Sequence, residues 1–181
     1  GTRIEIAANI ALPIEAPAAF AGGAEAIGLF RTEMLYMDRR SPPTEDELYN
    51  AYVEALGAAA GRPIIVRTID IGGDKPVDYL AIPAENNPFL GYRAVRIYAE
   101  FIELFRAQLR SILRASAHGR LRIMIPMISS LDEILWVKDV LGDVKRELRD
   151  AGVVFDEQIP FGIMLEVPSI AWIIDQCCEE V

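Results

Sequence analysis

Five short apolar runs, Ile4–Ala8, Ala26–Phe30, Ile64–Ile69, Leu121–Ile125 and Phe161–Leu165, are near-continuous rather than alternating. That is the pattern of strands buried on both faces of a parallel sheet. Helical patterns separate them. Ile14–Ala21 is short and stops at Gly22-Gly23. A capping box, Thr44 to Glu47, opens a helix reaching about Ala59. Phe101, Leu104, Phe105, Leu109, Ile112 and Leu113 draw an apolar stripe at helical spacing, closed by Gly119. A second capping box, Ser130 to Glu133, opens a helix ending near Gly152. A last helix is expected to carry Ile170, Ile173, Ile174, Cys177, Cys178 and Val181 on one face.

Strand alternating with helix predicts an α/β fold, and five such units predict a TIM (β/α)8-type barrel. Such a barrel typically takes about 250 residues. The expectation is therefore an incomplete barrel of about five β/α units, a single truncated domain over 1–181 belonging to a larger protein. A complete open five-stranded sheet is the alternative.

A net charge of −9 and a pI near 4.7 disfavour DNA or RNA as a partner, and no basic stripe with interleaved aromatics occurs. Any bound anion is expected to be small. Hydrophobic content is 52%, yet no run reaches the roughly 18 to 20 uncharged residues of a spanning helix, so membrane insertion is not expected. Arg3 and Glu5 in the first strand pattern argue against a signal or transit peptide at the N-terminus. Cys177 and Cys178 are adjacent, a poor arrangement for a structural bridge, and there is no zinc-type spacing. A reduced, cytoplasmic protein is expected.

Two strands end in an arginine followed by Thr and then an acid. The first continues as Arg31-Thr32-Glu33, the second as Arg67-Thr68-Ile69-Asp70, 36 residues later. An arginine at the end of a buried strand is costly without an anion to meet it. The spacing fits a strand–helix–strand unit. On neighbouring parallel strands, two guanidinium forks would converge on one phosphate or carboxylate. The competing reading is that each arginine pairs with Glu33 or Asp70 as a structural ion pair.

The surrounding residues resemble a family. Gly28-Leu29-Phe30-Arg31-Thr32-Glu33-Met34-Leu35-Tyr36-Met37 is similar to the signature of phosphoenolpyruvate-utilising phosphotransferases. Asp70-Ile71-Gly72-Gly73-Asp74-Lys75-Pro76, Asn87-Pro88-Phe89-Leu90-Gly91-Tyr92-Arg93 and Gly162-Ile163-Met164-Leu165-Glu166-Val167-Pro168 continue the match in order. The likeness is to enzyme I of the bacterial sugar phosphotransferase system, or the equivalent segment of multiphosphoryl transfer fusions. Pyruvate phosphate dikinase and phosphoenolpyruvate synthase share the Arg-Thr-Glu segment and are the alternatives. A non-catalytic binding or assembly module on the same fold is the alternative of a different class.

The resemblance implies a parent that takes phosphoryl from phosphoenolpyruvate onto its own histidine and passes it to a histidine phosphocarrier. It implies that Arg31 and Arg67 hold the phosphoryl group and that Glu166 is a ligand of Mg²⁺. A salt bridge across the barrel mouth is the competing role for Glu166. Arg93 is a supporting substrate-binding candidate, either facing the pocket or tying its loop to the barrel. Asp74 and Lys75 could close over substrate, and Asn9 could line the same mouth. The family's second metal carboxylate, a further arginine and the proton-donating cysteine are expected beyond Val181. Cys177 and Cys178 do not match that cysteine's motif and are expected to be buried helix residues. His118 is expected to be structural, meeting the last carbonyls of its helix. No catalytic residue is therefore expected within the chain, and the chain alone is expected to be inactive. Open sheet edges and uncovered apolar side chains predict self-association.

Overall fold

The computed structural model describes residues 1–72, 77–83 and 85–181. Strands β1 (Ala7–Ile10), β2 (Ala26–Arg31), β3 (Ile64–Arg67), β4 (Leu121–Ile125) and β5 (Phe161–Ile163) form one sheet in the order β1-β2-β3-β4-β5. Every neighbouring pair is parallel. An order without reversal, joined by right-handed crossovers, stacks all the helices on one face. Burial agrees with that placement. Ile64, Val66, Leu121, Ile123 and Ile125 are buried, whereas Ile65 and Met124 are half-buried and Arg122 is exposed. The sheet is open and is consistent with part of a barrel. The expected burial of both faces therefore holds for one face only.

Capping boxes set two of the long helices. In α2 (Glu45–Ala59) Thr44 Oγ1 accepts from Glu47 N at 3.2 Å and Glu47 Oε2 accepts from Thr44 N at 2.7 Å. Ala60, in the left-handed region at φ 49°, ends that helix. The helices α3 (Ile102–Ser116) and α4 (Leu131–Asp150) follow, the latter capped by Ser130 and Glu133. Phe105, Leu109, Ile112 and Leu113 are fully buried, as the stripe requires. Preceding these, α1 (Ala16–Ala21) continues a short 3-10 turn, Pro13–Glu15.

Three expectations shift. β1 begins at Ala7, not Ile4, because Ala7 pairs with Ala26, where β2 starts, so Ile4 and Ile6 lie outside the ladder and are exposed. The last helical pattern is broken at Ile173 (φ −125°) into a 3-10 turn, Pro168–Trp172, and a short α5, Ile174–Cys178. The single apolar face is lost with that break: Ile170 and Cys177 are buried, but Cys178 is exposed. Finally, β5 stops at Ile163, so Glu166 stands three residues beyond the strand rather than at its end. Among the described residues no helix is long and apolar enough to cross a membrane.

Candidate functional site

Arg31 and Arg67 close β2 and β3, and they are register partners across the two strands. At equal level on adjacent parallel strands, their side chains leave the sheet in the same direction. Both sit at the carboxyl ends of the strands, where open and closed parallel sheets place ligands. The neighbouring placement inferred from spacing is thus present in the backbone.

The two arginines differ in environment. Arg67 is 6% exposed, and its Nη2 pairs with Glu33 Oε1 and lies 3.4 Å from Asp70 Oδ2. Its Nη1 donates to Met164 Sδ at 3.6 Å, and its buried Nε has no hydrogen-bond partner among the described residues. Arg31 is exposed and makes no ion pair or hydrogen bond among the described residues. Its charge still reaches Glu15, whose carboxyl is held below the usual range first by the Ala11 and Leu12 amides and also by Arg31. The ion-pair reading therefore applies to Arg67 and not to Arg31. A locked fork beside a free one suits an anion site, since one is preorganised and the other can close.

Arg93 is buried, and its Nε donates to Asp70 Oδ1 at 2.9 Å. Asp70 thus joins Arg93 to Arg67, and Arg93 ties its loop to the end of β3. The left-handed Gly72 (φ 109°) makes that junction possible, since a Cβ there would lie 2.8 Å from Tyr92 O. Ala94 N also donates to Ile71 O at 3.2 Å. Asp74 and Lys75 lie outside the described residues.

Glu166 is exposed, and its Oε1 accepts from Met127 N at 2.7 Å. Met127 has a left-handed φ of 60°, so the β4–α4 loop is bent to present that amide. Glu166 lies two residues past Met164, whose sulfur touches Arg67, which puts it on the same rim. No salt bridge from Glu166 to an arginine occurs among the described residues. The carboxylate is free enough to fit Mg²⁺, which takes one or two protein carboxylates and fills the rest with water and substrate oxygens. Among the described residues no group of three metal-ligating side chains occurs. Asn9 is exposed within β1, opposite Leu29.

A buried polar network under the arginines escaped the sequence reading. Gln108, Thr32 and Thr68 are all fully buried. Thr32 Oγ1 donates to Arg67 O at 2.9 Å, and Tyr98 OH donates to Ile69 O at 2.6 Å. Burial pushes the Tyr98 hydroxyl well above its ordinary pKa, so it stays a donor. The available signal was the spacing Phe105, Gln108, Ile112, which sets an amide on the apolar face of α3.

A cavity of about 820 Å³ lies elsewhere. It opens at the amino ends of the strands, lined by Arg3, Arg62, Arg120 and Arg122 among others. Arg62 there is bonded to the Ala59 and Ala24 carbonyls and stacked on Phe20, and Arg3 pairs with Glu25. His118, the one histidine of the chain, follows α3 and so lies toward the same far end. Its side chain is bonded to Tyr49 OH at 2.8 Å rather than to the last carbonyls of its helix as expected.

Comparison with known proteins identifies the family. The profile of the family described as "PEP-utilising enzyme, PEP-binding domain" matches residues 1–181. The chain is 71% identical over 181 residues to multiphosphoryl transfer protein 2 of Escherichia coli strain K12, covering 100% of this chain and 22% of that protein. It is 49% identical over 181 residues to the phosphoenolpyruvate-protein phosphotransferase of Geobacillus stearothermophilus, covering 100% of this chain and 31% of that protein. The corresponding protein of Listeria monocytogenes is 46% identical, with 32% of its length covered. The chain thus spans between about a fifth and a third of the curated relatives it matches.

Proposed function

This chain belongs to the PEP-utilising enzymes, as a PEP-binding domain, and we propose on that footing that it is the phosphoenolpyruvate-binding part of a phosphoenolpyruvate-protein phosphotransferase. The parent transfers phosphoryl from phosphoenolpyruvate to its own histidine and then to a histidine phosphocarrier, in the cytoplasmic sugar phosphotransferase system. The five strands are part of a TIM (β/α)8 barrel, and residues 1–181 form one piece of that domain. The observation that carries this reading is the pairing of Arg31 with Arg67 at the carboxyl end of the sheet.

Phosphoryl transfer passes through a loose state with charge spread over the equatorial oxygens, so positioning and charge neutralisation do most of the work. Arg67, held by Glu33 and Asp70, offers a fixed fork to those oxygens. Arg31 closes on the phosphoryl group from the neighbouring strand. Arg93 acts through Asp70, keeping the Arg67 side chain aligned. Glu166 would hold Mg²⁺ at the same rim, with Met127 N fixing one of its oxygens. The bound ion supplies further neutralisation of the phosphate charge. The acceptor histidine comes from outside this chain, because His118 lies toward the far end of the sheet.

The test uses the full-length protein with Mg²⁺, phosphoenolpyruvate and histidine phosphocarrier, following pyruvate release. Arg31→Ala and Arg67→Ala should each suppress it strongly. Full pyruvate release by either variant would refute the assignment.

A further inference from the structure

The sheet ladder between β2 and β3 ends at Arg31 and Arg67, and the chain after Arg31 enters a 3-10 turn, Thr32–Leu35. Past that point the relative position of the two segments depends on side chains. Ile69 N donates to Gln108 Oε1 at 2.8 Å. Gln108 Nε2 donates to Thr32 Oγ1 at 3.0 Å and to Tyr52 OH at 3.2 Å. Thr32 Oγ1 spends its own proton on Arg67 O at 2.9 Å. The chain of bonds therefore runs from the segment after Arg67, through α3, to the segment after Arg31, and back to Arg67. Each donor and acceptor in it has one possible direction, because Ile69 N can only donate and Arg67 O can only accept.

We propose that Gln108 is a positioning residue for the arginine pair: its amide extends the β2–β3 ladder beyond the end of the sheet and fixes the separation of the Arg31 and Arg67 forks. The inference rests on the proposed phosphoenolpyruvate site for its consequence, but the latch itself stands on the geometry. Gln108 touches no substrate-facing atom and lies fully buried behind the two Arg-Thr segments. Glutamate cannot replace it, since a carboxylate has no donor for Thr32 Oγ1 and would bury an unpaired charge. Methionine matches its length and apolar packing while deleting all three side-chain bonds. Two neighbouring forks must meet one phosphoryl group at once, so a small loss of register lowers affinity without removing either charge.

The test compares Gln108→Met with wild type in the full-length protein, using two readouts. Amide hydrogen exchange should accelerate by about tenfold or more at Ile69, with β4 and α4 unchanged. Phosphoenolpyruvate affinity, by titration calorimetry, should fall by about tenfold, and the same substitution should add little in an Arg67→Ala background. A role confined to general stability would speed exchange throughout and add its loss fully in that background. Thr32→Val, which removes the central hydroxyl but leaves the Ile69–Gln108 bond, should show the same fall in affinity and the same small effect in the Arg67→Ala background, and serves if Gln108→Met does not fold. Unchanged exchange at Ile69, or wild-type affinity, overturns the inference. Absence of any phosphoenolpyruvate binding by the wild type would fail the proposed function instead, while the exchange measurement still decides the latch.

Discussion

Replacing each paired arginine with alanine should separate binding from stability. Arg67 is 6% exposed and lies against Glu33 and Asp70, themselves 4% and 3% exposed. Removing one partner of a buried pair typically costs about 3–5 kcal/mol. Asp70 keeps its 2.9 Å bond from Arg93, which places the expected loss near the lower end, at about 3 kcal/mol. In a domain of this size about 1 kcal/mol shifts the melting temperature by roughly 2–4 °C, so Arg67→Ala should melt about 6–12 °C lower. Arg31 is exposed and without a partner among the described residues, so Arg31→Ala should stay within about 0.5 kcal/mol of wild type. Phosphoenolpyruvate affinity should nevertheless fall strongly in both, since truncating a charge-assisted pair is worth about 2–5 kcal/mol. Thermal unfolding by circular dichroism and titration calorimetry on the same preparations read the two effects. An Arg67→Ala protein that melts like wild type, or an Arg31→Ala protein that loses as much stability, would refute the division of roles.

Three further outcomes follow from particular contacts. The Arg39 guanidinium, and after it the Thr44 amide, hold the Glu47 carboxyl down from 4.5 to about 2, so its small stabilisation is present above about 4.5 and lost as pH falls towards 2. Glu47→Gln should therefore narrow its stability gap to wild type across that interval in acid melts, and a constant gap would contradict it. Glu166→Gln keeps a carbonyl oxygen for Met127 N, so melting should move by less than about 2 °C while the Mg²⁺ dependence of pyruvate release collapses; an unaltered Mg²⁺ response would remove Glu166 from the metal site. The edge strands β1 and β5, with Ile4, Ile6, Leu165 and Trp172 exposed, should drive the isolated chain to self-associate at micromolar concentration, and a stable monomer in sedimentation would count against this.

Strand identity and helix entry were legible because the signals are local. The runs at Ile64 and Leu121 and the capping boxes at Thr44 and Ser130 carry their own periodicity and hydrogen-bonding partners. The arginine pair was also legible, since strand ends and spacing determine neighbours in a parallel sheet. What depends on partner strands was not. The true start of β1 follows from where β2 begins, and the break at Ile173 follows from no pattern in the apolar spacing. Nor does the sequence distinguish a locked Arg67 from a free Arg31, because both are followed by Thr and an acid. Asp70 serves Arg67 and Arg93 together through a loop closure over Gly72 that no short-range rule anticipates.

A structure of the full-length protein with phosphoenolpyruvate and Mg²⁺ tests the central claim most directly. The account predicts the phosphoryl oxygens within hydrogen-bonding distance of both the Arg31 and Arg67 guanidinium groups, at the carboxyl end of the sheet. Phosphoenolpyruvate bound instead in the arginine-lined cavity at the opposite end, beside Arg120 and Arg122, would contradict it.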